Sequence, residues 1–411
     1  MDKRIKKITI ALAAVGPGLF LIGYNIGTGS VTTMAKTGAE HGMELFWALV
    51  LSCVFTFVLM VAYGKVTLVT GNTALFTIKN EFRYGHVLAL YILFALIIGE
   101  LLALMGLMGI VADLVQEGIR LLLNDTNIQQ AWIILFFGIC SFILIWFGKY
   151  KTFEKVLTFF VILMGLSFIL VFFMVRPSFT VVVKGLVPGI PDTPGAFGLA
   201  AAIAGTTCSA AVFIMRSTVV AEKGWTIKNL RDEKKDAFVS ASIMLILSGV
   251  IMAVSAGTLH VMGLKLDNTV EMVQLFEPIG GNVAAFILIL GIVGAGLSSM
   301  FPILLIAPWL IADYTGKPRN IHSPQSRWLI FIALLFTFGS IILKQRPPVL
   351  MVFSMTLQAC ILPAVAIPVF LLINRKKLMG GNRANLTENI GIIAVILFSF
   401  LTTWFAITEL K

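Results

Sequence analysis

The sequence predicts an all-α polytopic membrane protein with about 11 transmembrane helices, arranged as two inverted repeats of five with discontinuous helices 1 and 6. Three observations carry that prediction: the composition, the recurrence of long apolar runs, and two matched interruptions in those runs. Of 411 residues, 58% are apolar and only 12% are charged, with a mean hydropathy of +0.97. Charge is too scarce to solvate the surface of a globular chain this long. Each apolar run is long enough to cross a hydrocarbon layer, which needs about 20 helical residues. In lipid every backbone polar group must be satisfied within its own segment or in a closed barrel, and the runs lack the two-residue alternation of barrel strands.

The expected spans are 8–38 (interrupted), 44–64, 86–112, 131–147, 156–175, 196–220 (interrupted), 237–258, 282–312, 328–343, 349–372 and 388–408. They form a single membrane domain, with repeat 1 over about 8–175, repeat 2 over about 196–372 and an extra helix over about 388–408. Sorting the loops alternately places 22 of the 31 basic residues on one face, eight on the other, and Arg216 within a span. By the positive-inside rule the basic face is cytoplasmic, so the N-terminus is expected inside and the C-terminus outside, in a bacterial inner membrane. The net charge of +11 then reflects topology and contact with anionic lipid; no nucleic-acid partner is implied. Residues 1–24 read as the start of span 1 and not as a signal peptide, because the apolar stretch runs on without a cleavage site.

Four cysteines, Cys53, Cys140, Cys208 and Cys360, sit in apolar runs without metal-ligand spacing, so neither a disulfide framework nor a resident metal is expected. No P-loop, zinc or hydrolase motif occurs. A cofactor and an enzymatic activity are therefore not expected. Trp47, Trp132, Trp146, Trp309 and Trp328 fall near predicted span ends and read as interfacial belt residues. The stretch Lys223 to Lys235 reads as a solvated loop.

The two interruptions are the informative features. Gly23-Tyr24-Asn25-Ile26-Gly27-Thr28-Gly29-Ser30 breaks span 1, and Gly205-Thr206-Thr207-Cys208-Ser209 breaks span 6. Three glycines within seven residues favour local unwinding, and unwound backbone survives in a membrane only where it is buried in protein or lines a cavity. Paired breaks at corresponding places in two halves mark the binding site of a secondary-active transporter built on inverted repeats. The competing reading is a pair of small-residue packing faces. Exposed carbonyls suit a cation and exposed N–H groups suit an anion. The candidate substrate-binding residues are Tyr24, Gly27, Thr28, Gly29, Ser30, Thr206, Thr207, Ser209 and Met355. Within the spans, Glu100 lies mid-way through span 3 and Arg216 in the second half of span 6. An ionisable group at that depth is a functional candidate, and the two are expected to face each other on the ion or coupling pathway.

Along nearly its whole length the sequence resembles the natural resistance-associated macrophage protein (NRAMP) family. The resemblance rests on Gly16-Pro17-Gly18, Thr70-Gly71, Phe153-Glu154, Gly185-Leu186-Val187-Pro188, Gly296-Leu297-Ser298-Ser299, Leu362-Pro363, Ile367-Pro368 and Leu378-Met379-Gly380, in that order. It implies a proton-coupled divalent-metal transporter with the inverted-repeat fold of the amino-acid/sodium-symporter type, and it makes Glu100 the counterpart of a glutamate on the family's proton route. Several expected metal ligands are absent. The family's Asp-Pro-Gly-Asn is matched by Gly27-Thr28-Gly29-Ser30, its Met-Pro-His by Ser209-Ala210-Ala211, its span 8 glutamine by Leu297 and its span 10 polar residue by Met355. A second acid of span 3 is Ile97 here, and Arg216 stands where the family has a histidine.

The two breaks alone thus describe a neutral, hydroxyl-rich site, which weighs against Mn or Fe as cargo because a dehydrated divalent ion needs an anionic partner. The expected partners are a small solute or ion, a coupling proton and the lipid bilayer, with the oligomeric state left open. Two cargo classes follow, a divalent cation and a small organic solute such as a carboxylate or amino acid. A non-transporting receptor on the same fold is the alternative from another class.

Overall fold

The structure is a computed structural model describing residues 23–24, 26–123, 128–147, 150–175, 179–274 and 277–409. Gly16-Pro17-Gly18, Asn25 and the first half of span 1 lie outside the described residues. The principal helices are α1 (Thr28–His41), α2 (Phe46–Thr70), α3 (Gly85–Leu123), α4 (Gln130–Phe147), α5 (Tyr150–Val175), α6 (Ala196–Thr207), α7 (Ala210–Glu222), α8 (Leu230–Gly257), α9 (Glu277–Thr315), α10 (Pro324–Phe336), α11 (Pro347–Ala359), α12 (Leu362–Asn374) and α13 (Leu386–Glu409). Eight described stretches are long and apolar enough to cross a membrane, two of them the pairs α6–α7 and α11–α12. With α1, α5 and the shorter α10 they make the expected set of eleven spans.

Local sequence explains where the helices stop. Pro347 and Pro348 open α11, and Pro363 opens α12, positions at which the missing N–H is not needed. Span 10 is therefore two helices meeting at Cys360 and Ile361. Ser323 caps α10 by accepting from the Ser326 N–H at 3.2 Å. Four boundaries differ from expectation. Helix α3 runs to Leu123, well past 112; α5 starts at Tyr150, ahead of 156; α8 starts at Leu230, ahead of 237; and span 9 divides into α10 and Gly339–Leu343. The third difference matters most, because it moves Glu233 and Asp236 from a presumed solvated loop into a helix.

The centre of the molecule is formed by α1, α6 and α7, whose residues are almost all buried. Around them pack α8 against α1, α11 against α6, and α9 against both α3 and α5. Outward faces of α4, α5 and α10 carry exposed Phe136, Ile143, Phe173 and Leu335, as expected of surfaces whose solvent is lipid. Of the proposed belt tryptophans, Trp132 and Trp328 are exposed. Trp309 and Trp47 are buried, and Trp47 donates from Nε1 to the Gly189 carbonyl at 2.8 Å. Those two are packing residues and not belt residues.

Close packing also accounts for Gly205. A Cβ built there would lie 1.8 Å from the Met355 carbonyl oxygen, so α6 and α11 touch backbone to backbone. This glycine permits approach and does not unwind the helix, which continues through Thr207. Gly205→Ala is expected to push the two helices apart and cost about 1–3 kcal/mol, read as a lower thermal midpoint in detergent.

Candidate functional site between the two broken helices

Both breaks exist, and both are shorter than the sequence suggested. In span 1 the chain bends at Ile26 and Gly27, then α1 begins, with the Val31 N–H donating to the Gly27 carbonyl at 3.0 Å. Thr28, Gly29 and Ser30 are therefore the first turn of α1, not unwound chain. Their N–H groups have no partner within the helix. In span 6 only Cys208 and Ser209 interrupt the helix. So α6 ends and α1 begins at one cavity, presenting a negative dipole end and a positive one.

That cavity has a volume of about 30 Å³, room for one or two waters and little more. Break 1 contributes Tyr24, Gly27, Thr28, Gly29 and Ser30 to its wall. From break 2 and span 10 come Thr206, Ser209 and Met355. Thr207 is not in the wall, since it lies on the side of α6 that meets α2, where its carbonyl accepts from Thr56 Oγ1 at 2.9 Å.

Glu100 lines the same cavity. Its side-chain polar neighbours are the Tyr24 phenol and the Gln358 amide, and Gln358 Oε1 accepts from Ser209 Oγ at 3.1 Å. Glu100 thus shares one cavity wall with Tyr24 of break 1 and with Gln358, the partner of Ser209 in break 2. The neutral site read from the two breaks is corrected, because the anionic group comes from a third element, α3.

Arg216 is a second correction. It does not face Glu100 and does not line the cavity. It is fully buried, with Nε and Nη2 donating to the Glu233 carboxylate at 2.9 and 2.8 Å, and Nη1 donating to Asp236. Both partners sit in the first two turns of α8. An arginine about one turn and a half from the end of α7 thus reaches the first two turns of α8 through its side chain.

Sequence reasoning missed six side chains in the wall: Gln358, Ser299 and Met351, and the apolar Ala103, Leu107 and Ile303. Ser299 Oγ donates to the Gly23 carbonyl at 2.8 Å, satisfying backbone freed by break 1. A Cβ on Gly27 would fall 2.0 Å from that Oγ. Gly27→Ala is accordingly expected to lower transport severalfold, and adding Ser299→Gly should restore part of it by removing the clash. Initial uptake rates of the two variants check this. The thioethers of Met351 and Met355 also stand close, with Met355 Sδ 3.0 Å from the point a Gly29 Cβ would occupy.

On the side away from the basic loops, Lys36 pairs with Glu40 one turn on in α1 at 2.9 Å and ties α1 to Asp267 of the loop after α8 at 2.7 Å. Arg346, just before α11, approaches Asp267 at 3.7 Å. These pairs join α1, the loop after α8 and the start of α11. Among the described residues no three His, Cys, Asp or Glu side chains converge as metal ligands.

Fold and site together define a multi-pass α-helical membrane transporter of the inverted-repeat class, organised around two discontinuous helices. The model of the natural resistance-associated macrophage protein-like family matches residues 18–408, and the chain belongs to that family. A divalent metal cation transporter MntH from Yersinia enterocolitica is 28% identical over 297 residues, covering 71% of this chain and 70% of the relative. Its counterpart from Erwinia tasmaniensis is 24% identical over 396 residues, 94% of this chain and 92% of the relative. Among solved structures, the Eremococcus coleocola manganese transporter, in complex with an aromatic bis-isothiourea substituted compound, superposes with a TM-score of 0.74 at 15% identity. That match covers 100% of this chain and 88% of the other. Mhp1, a nucleobase-cation-symport-1 family transporter with bromovinylhydantoin bound, superposes at 0.65 with 15% identity, covering 96% and 93%.

Proposed function

We propose that the protein is a secondary-active transporter that carries a divalent cation through the cavity between the two breaks, with Glu100 as the anionic group of the site. The observation that carries this reading is the position of Glu100 in the cavity wall, beside Tyr24 of break 1 and Gln358, whose amide oxygen accepts from Ser209 of break 2. The carboxylate supplies the compensating charge that a dehydrated cation requires. Hydroxyl and amide oxygens of Thr28, Thr206, Ser209 and Gln358 are hard donors suited to Mg²⁺ or Mn²⁺, and the Met355 thioether adds a soft one that tolerates transition metals. The family's span 6 thioether is thereby replaced in kind from span 10.

Charge points the same way. A cavity of about 30 Å³ accepts an ion with a water or two, and Glu100 in its wall would repel the charge of a carboxylate cargo. As the carboxyl group in this cavity wall, Glu100 is the place where a coupling proton would exchange against the cation. The names of the relatives support a cation cargo as well.

Reconstitution tests the proposal. Liposomes carrying the wild-type chain are expected to take up Mn²⁺ or Mg²⁺, and Gly27→Trp, which fills the cavity, is expected to abolish that uptake. Uptake of a labelled amino acid or carboxylate without any cation flux would overturn it in favour of an organic cargo. Saturable binding without flux of either would favour a receptor.

A further inference from the structure

We propose that the protein carries a binding site for an anionic phospholipid in the groove between α4 and α10, with Arg327 as the residue that takes the headgroup phosphate. The groove has a volume of about 330 Å³ and is lined by Phe142, Trp146, Pro324, Arg327, Trp328 and Phe331. It is separate from the transport cavity and shares no residue with it.

Arg327 is the unusual member. Arg120, Arg216, Arg319, Arg346 and Arg375 each pair with a carboxylate. Arg327 pairs with none among the described residues, and its Nε is buried without a hydrogen-bond partner. Its guanidinium lies over the Trp146 ring, 3.7 Å from the centroid. Stacking of this kind fixes the plane of the guanidinium and leaves its edge donors available for a planar fork onto phosphate oxygens. A buried donor in a membrane protein is costly until something accepts from it.

The surroundings specify what that acceptor is attached to. Trp328 and Phe331 are 67% and 44% exposed on a surface that faces lipid, and Trp146 packs on Phe142 with ring centroids 4.8 Å apart. The groove lies at the last turn of α4 and the first turn of α10, the ends of spans 4 and 9 that flank the basic loops. Headgroup phosphates sit at that depth, and acyl chains lie alongside the aromatic walls below. The face with the basic loops is the cytoplasmic one by the positive-inside bias, where anionic lipid is available and basic pockets between helices bind such headgroups. A cation framed by aromatic rings at a span end therefore fits a phosphatidylglycerol-type lipid better than a protein surface or a free solute.

Native mass spectrometry of the full chain, released from micelles doped with phosphatidylglycerol or phosphatidylcholine, tests the assignment. Wild type is expected to retain phosphatidylglycerol preferentially, and Arg327→Gln to lose roughly tenfold or more in that affinity, as the removal of a charge-assisted hydrogen bond predicts. Equal retention by wild type and variant would overturn the proposal. So would a millimolar inorganic phosphate control that displaces the lipid completely, since the site would then recognise a free anion. Should Arg327→Gln fail to fold, brominated lipid serves instead. The fluorescence lost by Trp328→Phe should be quenched more by brominated phosphatidylglycerol than by brominated phosphatidylcholine in wild type, and equal quenching would contradict the site.

Discussion

Arg216→Met is expected to destabilise the protein by about 3–5 kcal/mol, because it breaks a buried ion-pair cluster by removing the arginine that both acids share. The arginine and Glu233 are wholly buried, and the Asp236 side chain is 3% exposed. One guanidinium thus pairs with two buried carboxylates. Removing it strands two acids that must either stay charged in a low-dielectric interior or bind protons. Gly64 of α2 lies directly against the Glu233 carboxylate, so that helix leaves no room for the acid to turn away. The measurement is the thermal midpoint of purified protein in detergent. A triple variant that also carries Glu233→Gln and Asp236→Asn is expected to recover much of the loss, because no net buried charge remains. An Arg216→Met protein as stable as wild type would mean that the two carboxylates reach water. These contacts tie α7, the second half of span 6, to the first turns of α8.

Glu100→Gln is expected to reduce cation affinity and uptake by about 10²-fold or more while leaving the fold intact. That magnitude follows from removing one partner of a buried charge pair, about 3–5 kcal/mol, at about 1.4 kcal/mol for each factor of ten. The glutamine is nearly isosteric and keeps an oxygen beside Tyr24 and Gln358, so packing is preserved while the charge is lost. Uptake by reconstituted protein at equal amounts of folded chain reads the effect. It also separates the two buried charges: Arg216→Met should lower the amount of folded protein, and Glu100→Gln should lower the flux per folded molecule. Unchanged uptake by Glu100→Gln would leave Glu100 a structural residue.

Much of the architecture was legible in the sequence because lipid allows so few solutions. Apolar runs without strand alternation must be helices, and a span broken near Ile26 and Gly27 must hide that break in the protein interior. Which residues share a cavity was less legible. The breaks were visible as glycine and hydroxyl clusters, but the carboxylate that completes the site sits on α3, and sequence order does not reveal which face of α3 turns toward the breaks. Gln358 and Ser299 carried faint signals: an amide alone in an apolar run, and consecutive hydroxyls at Ser298 and Ser299 in α9. Glu100 was identifiable by depth, yet paired with the wrong partner. The true partners of Arg216, Glu233 and Asp236, were hidden by a helix boundary, since a charged first turn reads as loop when it extends beyond the apolar core. Gly205 looked like unwinding and is close packing, a distinction that rests on the position of the Met355 carbonyl.

Calorimetric titration of Mn²⁺ or Mg²⁺ into purified protein decides whether the Glu100 cavity holds the cargo. The expected outcome is one saturable site per chain in wild type and none in Glu100→Gln at the same concentrations. Equal binding by the two proteins, or binding that survives Gly27→Trp, would place the cation elsewhere and contradict a cation site between the two breaks.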